Sequence, residues 1–178
     1  MKTATEQFEI SKFSPCDDAI EFRSQYATFK EAWENCPRGD WMLWIAKKLD
    51  IDIKILTKAK AKCALTVRHL MKDQRSINAC EIALKFSDGL ATREELNNAA
   101  AAAAAAADAA AAAYAADAAA AYAAAAADAA AAAYAAAAAA AYAEAAAAAA
   151  DARAKNRKET ADICREILTE AVFEKLKI

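Results

Sequence analysis

The sequence predicts an all-α protein: a single-domain helical bundle built around a long Ala-rich helix or helices. Three observations carry that expectation. Ala99 to Ala152 is almost wholly alanine, interrupted only by Tyr114, Tyr122, Tyr134, Tyr142, Asp108, Asp117, Asp128, Asp151 and Glu144. Alanine is the best helix former because fixing it costs no side-chain entropy. Gly 2 and Pro 2 in 178 residues leave few places for the turns that an all-β chain needs. On both sides of the tract, apolar residues return at intervals of three and four, the helical period. The length suffices for one domain with a sizeable core, 1–178, with an N-terminal arm (1–13), an Ala-rich segment (92–152) and a C-terminal helix (153–178).

Residues 1–13 read as a polar lead with Phe8 and Ile10 alternating, then Phe13. Ser14-Pro15 predicts a helix start, with Ser14 as N-cap, Pro15 at the first helical position and Asp17 and Asp18 near the positive end of the dipole. Its apolar set is Cys16, Ala19, Ile20 and Phe22, with Arg23 outside it. After a break near 26–28, Phe29 to Asn35 predicts a short helix carrying Ala32 and Trp33. Cys36-Pro37-Arg38-Gly39 is a turn, and Asp40 is the expected cap of a helix over 41–49, with Trp41, Trp44, Ile45 and Lys48 on one side.

Asp52 predicts the cap of a fourth helix reaching about Lys72. Its buried stripe would be Ile53, Leu56, Cys63, Ala64, Val67, Leu70 and Met71, with Lys54, Lys58, Lys62 and Lys72 pointing away. A fifth helix, 76–87, would bury Ile77, Cys80, Ala83 and Leu84 and end at Gly89. Thr92 followed by Glu95 is a capping box that starts the Ala-rich helix. The last helix runs to about Leu176, with Ile163, Ile167, Leu168, Ala171 and Val172 on its inner face.

Run unbroken from 92 to 152, the Ala-rich helix would be roughly 90 Å long at about 1.5 Å per residue, so a bend within it is one expectation. The tract holds a repeat of period twenty that pairs Asp108 with Asp128, Tyr114 with Tyr134 and Tyr122 with Tyr142. Twenty residues turn a straight helix by roughly 200° beyond whole turns, so the copies face nearly opposite ways unless the helix breaks between them. Two readings of the repeat stand. The tyrosines fill gaps in a small-residue core, or Tyr and Asp line a groove for a ligand, with Arg153 and Arg157 after the tract supplying positive charge. An exposed alanine surface would be sticky. The tract is therefore expected to be buried within the fold or in the self-interface of a homo-oligomer.

Net charge is −2, which gives no global case for nucleic acid. No run inside the tract that includes tyrosine is apolar for the roughly 20 residues of a membrane span. Five cysteines at 16, 36, 63, 80 and 164 lack C-x-x-C spacing, and His69 is the one histidine. Cys63, Cys80 and Cys164 fall on apolar helix faces and read as buried reduced thiols, as fits a cytoplasmic protein, and the set does not read as a zinc site. The N-terminal stretch lacks the apolar core of a signal peptide. No Gly-rich phosphate loop, metal-ligand cluster or nucleophile–base pair is legible, so no catalytic residue, metal or cofactor is expected.

The densest aromatic patch, Trp33, Trp41 and Trp44, falls within twelve residues. It is core, or it is a partner-binding patch formed by Arg38, Asp40, Trp41 and Trp44, residue types that anchor interfaces. CPRGDWMLWIAKKL at 36–49, the run from Lys62 to Leu96, the Ala/Tyr/Asp tract and ADICREIL at 161–168 together resemble a family of Ala-rich proteins of phages, prophages and gut bacteria. That family is in turn distantly similar to proteins assigned as immunity proteins of bacterial toxin systems. The resemblance is specific at Asp40, Trp41, Leu43 and Trp44. It implies a non-enzymatic binding protein, a phage accessory or immunity-like factor that holds a protein partner, and it transfers no catalytic residue. Two other classes stay open: a small-molecule or nucleotide-sequestering protein using the Tyr/Asp repeat, and a purely structural or self-assembling helical protein.

Overall fold

Every regular element among the described residues is helical, and the helices form an all-α bundle. The computed structural model describes residues 8–71, 73–105 and 131–178, with side chains described for all of these except Leu70 and 131–149. The α-helices are α1 (Asp17–Ser24), α2 (Phe29–Asn35), α3 (Gly39–Lys48), α4 (Ile53–Leu65), α5 (Gln74–Ser87), α6 (93–105) and α7 (Ala131–Leu176). Short 3-10 turns at Ile10–Phe13 and Arg68–Leu70 complete the set.

The C-terminal part of α7 is the spine. Ala161, Cys164, Leu168 and Val172 are each 0% exposed. Their spacings of three, four and four keep one line of side chains facing inward. That line packs on α3, which contributes Met42, Ile45 and Ala46, and on α4, which contributes Leu56 and Ala59. α4 lies between α7 and α5, while α2 packs on α1 and α7, and Phe22 of α1 meets Trp41 of α3. The sequence placed the inner face of α7 one position off centre. Ile163, Ile167 and Ala171 are only half-buried, and the small residues Ala161 and Cys164 begin the buried line. Small side chains let helices approach closely, which hydrophobicity alone does not reveal.

Several helix boundaries differ from the expected ones, each for a local reason. Ser14 has φ 54° and closes the first 3-10 turn through its amide to Ser11 O at 3.1 Å. An N-cap needs extended backbone, so that role passes to Cys16 and α1 begins at Asp17, not Pro15. In α1 only Ala19 is buried, and Ile20 is 45% exposed. α2 carries a capping box not foreseen from the sequence: Glu31 N donates to Thr28 Oγ1 at 3.1 Å while Thr28 N donates to the Glu31 carboxylate at 3.1 Å. Asp40 does not cap α3. Arg38 is the N-cap and Asp40 lies in the first turn. α3 starts at Gly39, and that residue lies against α7: a Cβ there would sit 2.6 Å from the Thr160 carbonyl carbon.

Asp52 caps α4 as expected, accepting from Lys54 N at 2.8 Å and Ile55 N at 3.3 Å. The helix stops at Leu65 rather than near residue 72. The Thr66 hydroxyl donates back to Cys63 O at 2.8 Å, and β-branched Thr66 and Val67 disfavour continuation. The buried positions of α4 are Leu56, Ala59 and Ala61, and Ile53 is 42% exposed. α5 starts two residues early behind Asp73, which accepts from Arg75 N at 2.8 Å. Its stripe of Ile77, Cys80, Ala83 and Leu84 is half-buried, with Phe86 the buried residue, since α5 lies at the edge of the bundle on α4. It ends as Gly89 predicts: φ is 78°, Leu90 N reaches Lys85 O at 2.7 Å and Gly89 N reaches Phe86 O at 3.1 Å, a Schellman motif.

The capping box before the Ala-rich segment is present. Glu95 N donates to Thr92 Oγ1 at 3.2 Å and Thr92 N donates to the Glu95 carboxylate at 2.7 Å. In α6 the alanines are not uniformly buried: Ala99 is, while Ala100, Ala101, Ala104 and Ala105 are exposed, as are Ala150 and Ala152 in α7. At those positions the burial expected within the fold is not found in the single chain. α7 passes through residues 152–153 without interruption, so no helix boundary separates the end of the tract from the C-terminal helix. The bend expected within the tract is not found over 93–105 or 131–152, and the rest of the tract, 106–130, lies outside the described residues.

Candidate functional site

The aromatic patch is a cavity wall. The first 3-10 turn, α1, α2 and α3 surround a pocket of about 50 Å³ whose lining includes Ile10, Phe22, Phe29, Trp33, Trp41 and Trp44. Trp33 is 3% exposed and Phe29 5%, so they form the floor. Trp41 and Trp44 are half-buried and form the rim. The rings hold one another in tilted and edge-on contacts. Phe22 lies 5.7 Å from Trp41, Phe29 lies 6.0 Å from Trp33, and Phe13 meets Trp44 edge-on at 6.4 Å. Such pairs add roughly 0.5–1.5 kcal/mol each beyond area burial, so the wall is set before anything docks.

Polar contacts fix the floor from behind. Trp33 Nε1 donates to Thr169 Oγ1 on α7 at 2.8 Å. Arg165 Nη1 donates to Cys36 O at 2.7 Å, and Arg165 also pairs with Asp162. The turn between α2 and α3 is thereby tied to the spine. Burial pushes the Cys36 thiol above its ordinary value, and its Sγ lies 3.4 Å from Arg38 O. Arg23 also lines the pocket. Its Nη1 donates to Tyr26 O at 2.8 Å, and its Nε is buried with no hydrogen-bond partner among the described residues.

Of the sequence-predicted partner residues, Arg38, Asp40 and Trp41 are brought together and Trp44 lies on the same rim. The Arg38 guanidinium sits 4.4 Å from the Trp41 ring centroid. It grips Asp40 with two hydrogen bonds, Nε to Oδ1 at 3.1 Å and Nη2 to Oδ2 at 2.5 Å. The hydrogen bond to Asp40 raises Arg38 above its ordinary value. Burial alone would raise the Asp40 carboxyl, but the hydrogen bonds and charge of Arg38 outweigh it and hold that group below its ordinary value. The pair is therefore an internal clamp on Trp41.

The predicted ligand-binding set is not assembled among the described residues. Tyr114, Tyr122, Asp108 and Asp128 lie outside them, and Tyr134 and Tyr142 fall on α7 where side chains are not described. Arg153 and Arg157 are exposed on α7. His69 is exposed in the second 3-10 turn. Among the cysteines, Cys36 and Cys164 are buried, Cys63 and Cys80 are half-buried and Cys16 is exposed. Among the described residues, no group of three or more His, Cys, Asp or Glu is placed to hold a metal ion. No helix there is long and apolar enough to cross a membrane.

Sequence reasoning missed Phe22, Phe29 and Arg23 as pocket residues. Phe22 and Phe29 were visible only as helix-face positions, and nothing in their spacing shows that α1 and α2 open toward Trp41. Comparison with protein-family models, curated proteins and solved structures finds no match to this chain.

Proposed function

We propose that this chain is a non-enzymatic binding protein that holds a protein partner, in the manner of a phage or prophage accessory or immunity-like factor. The pocket under Trp41 and Trp44 receives an apolar side-chain tip of that partner. The observation that supports this reading is a half-buried tryptophan rim over a prebuilt aromatic floor. A pocket of about 50 Å³ holds a few atoms, whereas whole small-molecule sites run to roughly 300–1,000 Å³. A side-chain tip anchored there is desolvated on all sides, and the Arg38–Asp40 clamp keeps Trp41 from rotating away. Interface energy concentrates in such buried aromatic and arginine anchors.

Affinity capture from the native host, followed by native mass spectrometry, tests the reading. A polypeptide held by the wild-type chain and lost about 30-fold or more on Trp44→Ala, with helical content unchanged, supports it; anchor residues typically cost 2 kcal/mol or more when truncated. A bound small mass instead, unaffected by Trp44→Ala, would favour a sequestering protein.

A further inference from the structure

Away from the pocket, two sulfurs from distant parts of the chain meet. Cys63 Sγ on α4 and Cys164 Sγ on α7 are 3.8 Å apart, 101 residues apart in sequence. Each also has a backbone carbonyl within reach: Thr160 O, one turn before Cys164 on α7, lies 3.6 Å from Cys63 Sγ, and Gly39 O lies 3.5 Å from Cys164 Sγ. The two residues differ in access, since Cys63 is half-buried and Cys164 is 0% exposed. We propose that Cys63 and Cys164 form a thiol–disulfide exchange site that takes a small-molecule disulfide of the glutathione type and closes a reversible bond between α4 and α7.

The geometry assigns the roles. Only Cys63 can meet an incoming disulfide, so it is the attacking thiol. When it is ionised, the Cys164 S–H donates to it; that hydrogen bond holds Cys63 below and Cys164 above their ordinary values, and burial adds to the rise at Cys164. A thiolate is the nucleophile in exchange. The Cys63 thiolate attacks one sulfur of oxidised glutathione. A Cys63–glutathione bond forms, the glutathione disulfide breaks, and the first glutathione leaves and takes up the proton lost by Cys63. Cys164 then attacks Cys63 Sγ. The Cys63–Cys164 bond forms, the second glutathione leaves, and the proton of Cys164 ends on it. The protein loses two electrons and two protons, and the small disulfide becomes two thiols. The sulfurs need to close by less than about 2 Å to reach the roughly 2.05 Å of a disulfide. Cys164 is already seated beside the sulfur it must attack. Cys16, though exposed, has no described sulfur neighbour, so it has nothing to resolve a mixed disulfide.

The full-length protein in a Cys16→Ser background, reduced and then titrated with oxidised glutathione, tests the site by intact mass and peptide mapping after alkylation. The expected product is about 2 Da lighter than the reduced chain, carries one bond linking the Cys63 and Cys164 peptides, and returns to the dithiol with dithiothreitol. Cys164→Ser stops the sequence at a single glutathione on Cys63, and Cys63→Ser leaves Cys164 unmodified in the folded chain. A rise in Tm of roughly 5 °C or more accompanies closure, as a loop of this length constrains the unfolded state. A wild-type pair that accumulates stable glutathione on Cys63, or a bond mapped to Cys36 or Cys80, overturns the proposal. Those wild-type readouts decide it even if a Cys164 variant fails to fold.

Discussion

Two consecutive segments of α7 share a backbone conformation and little else. Over 150–159 every residue except Asn156 is exposed, and Asp151, Arg153, Lys155, Arg157 and Lys158 point to solvent. Over 160–172 the buried line of Ala161, Cys164, Leu168 and Val172 meets α3 and α4. The first segment is helical because its residues favour helix locally, and its one described side-chain hydrogen bond to another part of the chain is from Asn156 Nδ2 to Thr66 Oγ1 at 2.7 Å. The second is helical and also held in place by its neighbours. Composition alone makes a helix; only the spacing of groups to be buried makes a helix that holds a fold together.

Core truncation separates the segments most sharply. Leu168→Ala removes a side chain that is 0% exposed and is expected to cost about 2–5 kcal/mol, read as a lower midpoint in urea unfolding. Next is Gly39→Ala. The new Cβ would lie within 2.6 Å of the Thr160 backbone, so α3 must shift off α7. A loss of about 1–3 kcal/mol is expected. A neutral result there would mean that the α3–α7 approach is looser than the geometry requires. Thr169→Val tests the polar side of the same segment. It leaves the buried Trp33 indole N–H without its 2.8 Å partner, and a loss of about 1–2 kcal/mol is expected with a change in tryptophan fluorescence.

Arg153→Ala and Arg157→Ala should each change stability by less than about 0.5 kcal/mol, because both residues are exposed and alanine is the better helix former. A larger loss, measured by the same urea titration, would reveal a contact on this face and remove the contrast between the segments.

The sequence carried the elements whose signals are local. The Thr92–Glu95 box, the Asp52 cap and the Gly89 terminus each depend on residues within six positions of one another, and each is present. Leu56, Leu168 and Val172 were legible as core from spacing and hydrophobicity. What was not legible depends on the third dimension. The need for glycine at the start of α3 comes from Thr160, over a hundred residues away. The N-terminal half of the α7 seam is alanine and cysteine, small residues where Gly39 approaches Thr160 closely, rather than apolar bulk. At the site, Trp41, Trp44, Arg38 and Asp40 could be named from the sequence because they are adjacent. Trp33 could be named in the same aromatic patch, but Phe22 and Phe29 could not, since they share a cavity with it only when α1, α2 and α3 converge.

The smallest effect concerns charge at a helix end, where the exposed stretch of α7 has a counterpart in α5. Asp73 caps α5 while accepting from the Arg75 side chain through Nε at 3.0 Å and Nη2 at 2.8 Å. The Arg75 side-chain hydrogen bonds, then its backbone amide, lower the Asp73 carboxyl to about 2. An unfolded chain would titrate it near 3.9. The sign follows from that order: the folded state binds the proton more weakly, so the contribution is complete above about pH 4 and disappears as pH falls through about 2. Solvent screens a fully exposed pair, so the expected signature is in the titration rather than in overall stability. A carboxyl carbon NMR titration should place the Asp73 midpoint about 2 units below that of an ordinary aspartate, and Arg75→Ala should return it most of the way. An ordinary midpoint in the wild type would mean that this pair does not persist in solution. The ends of the bundle's outer helix would then be as weakly held as the solvent-facing stretch of α7.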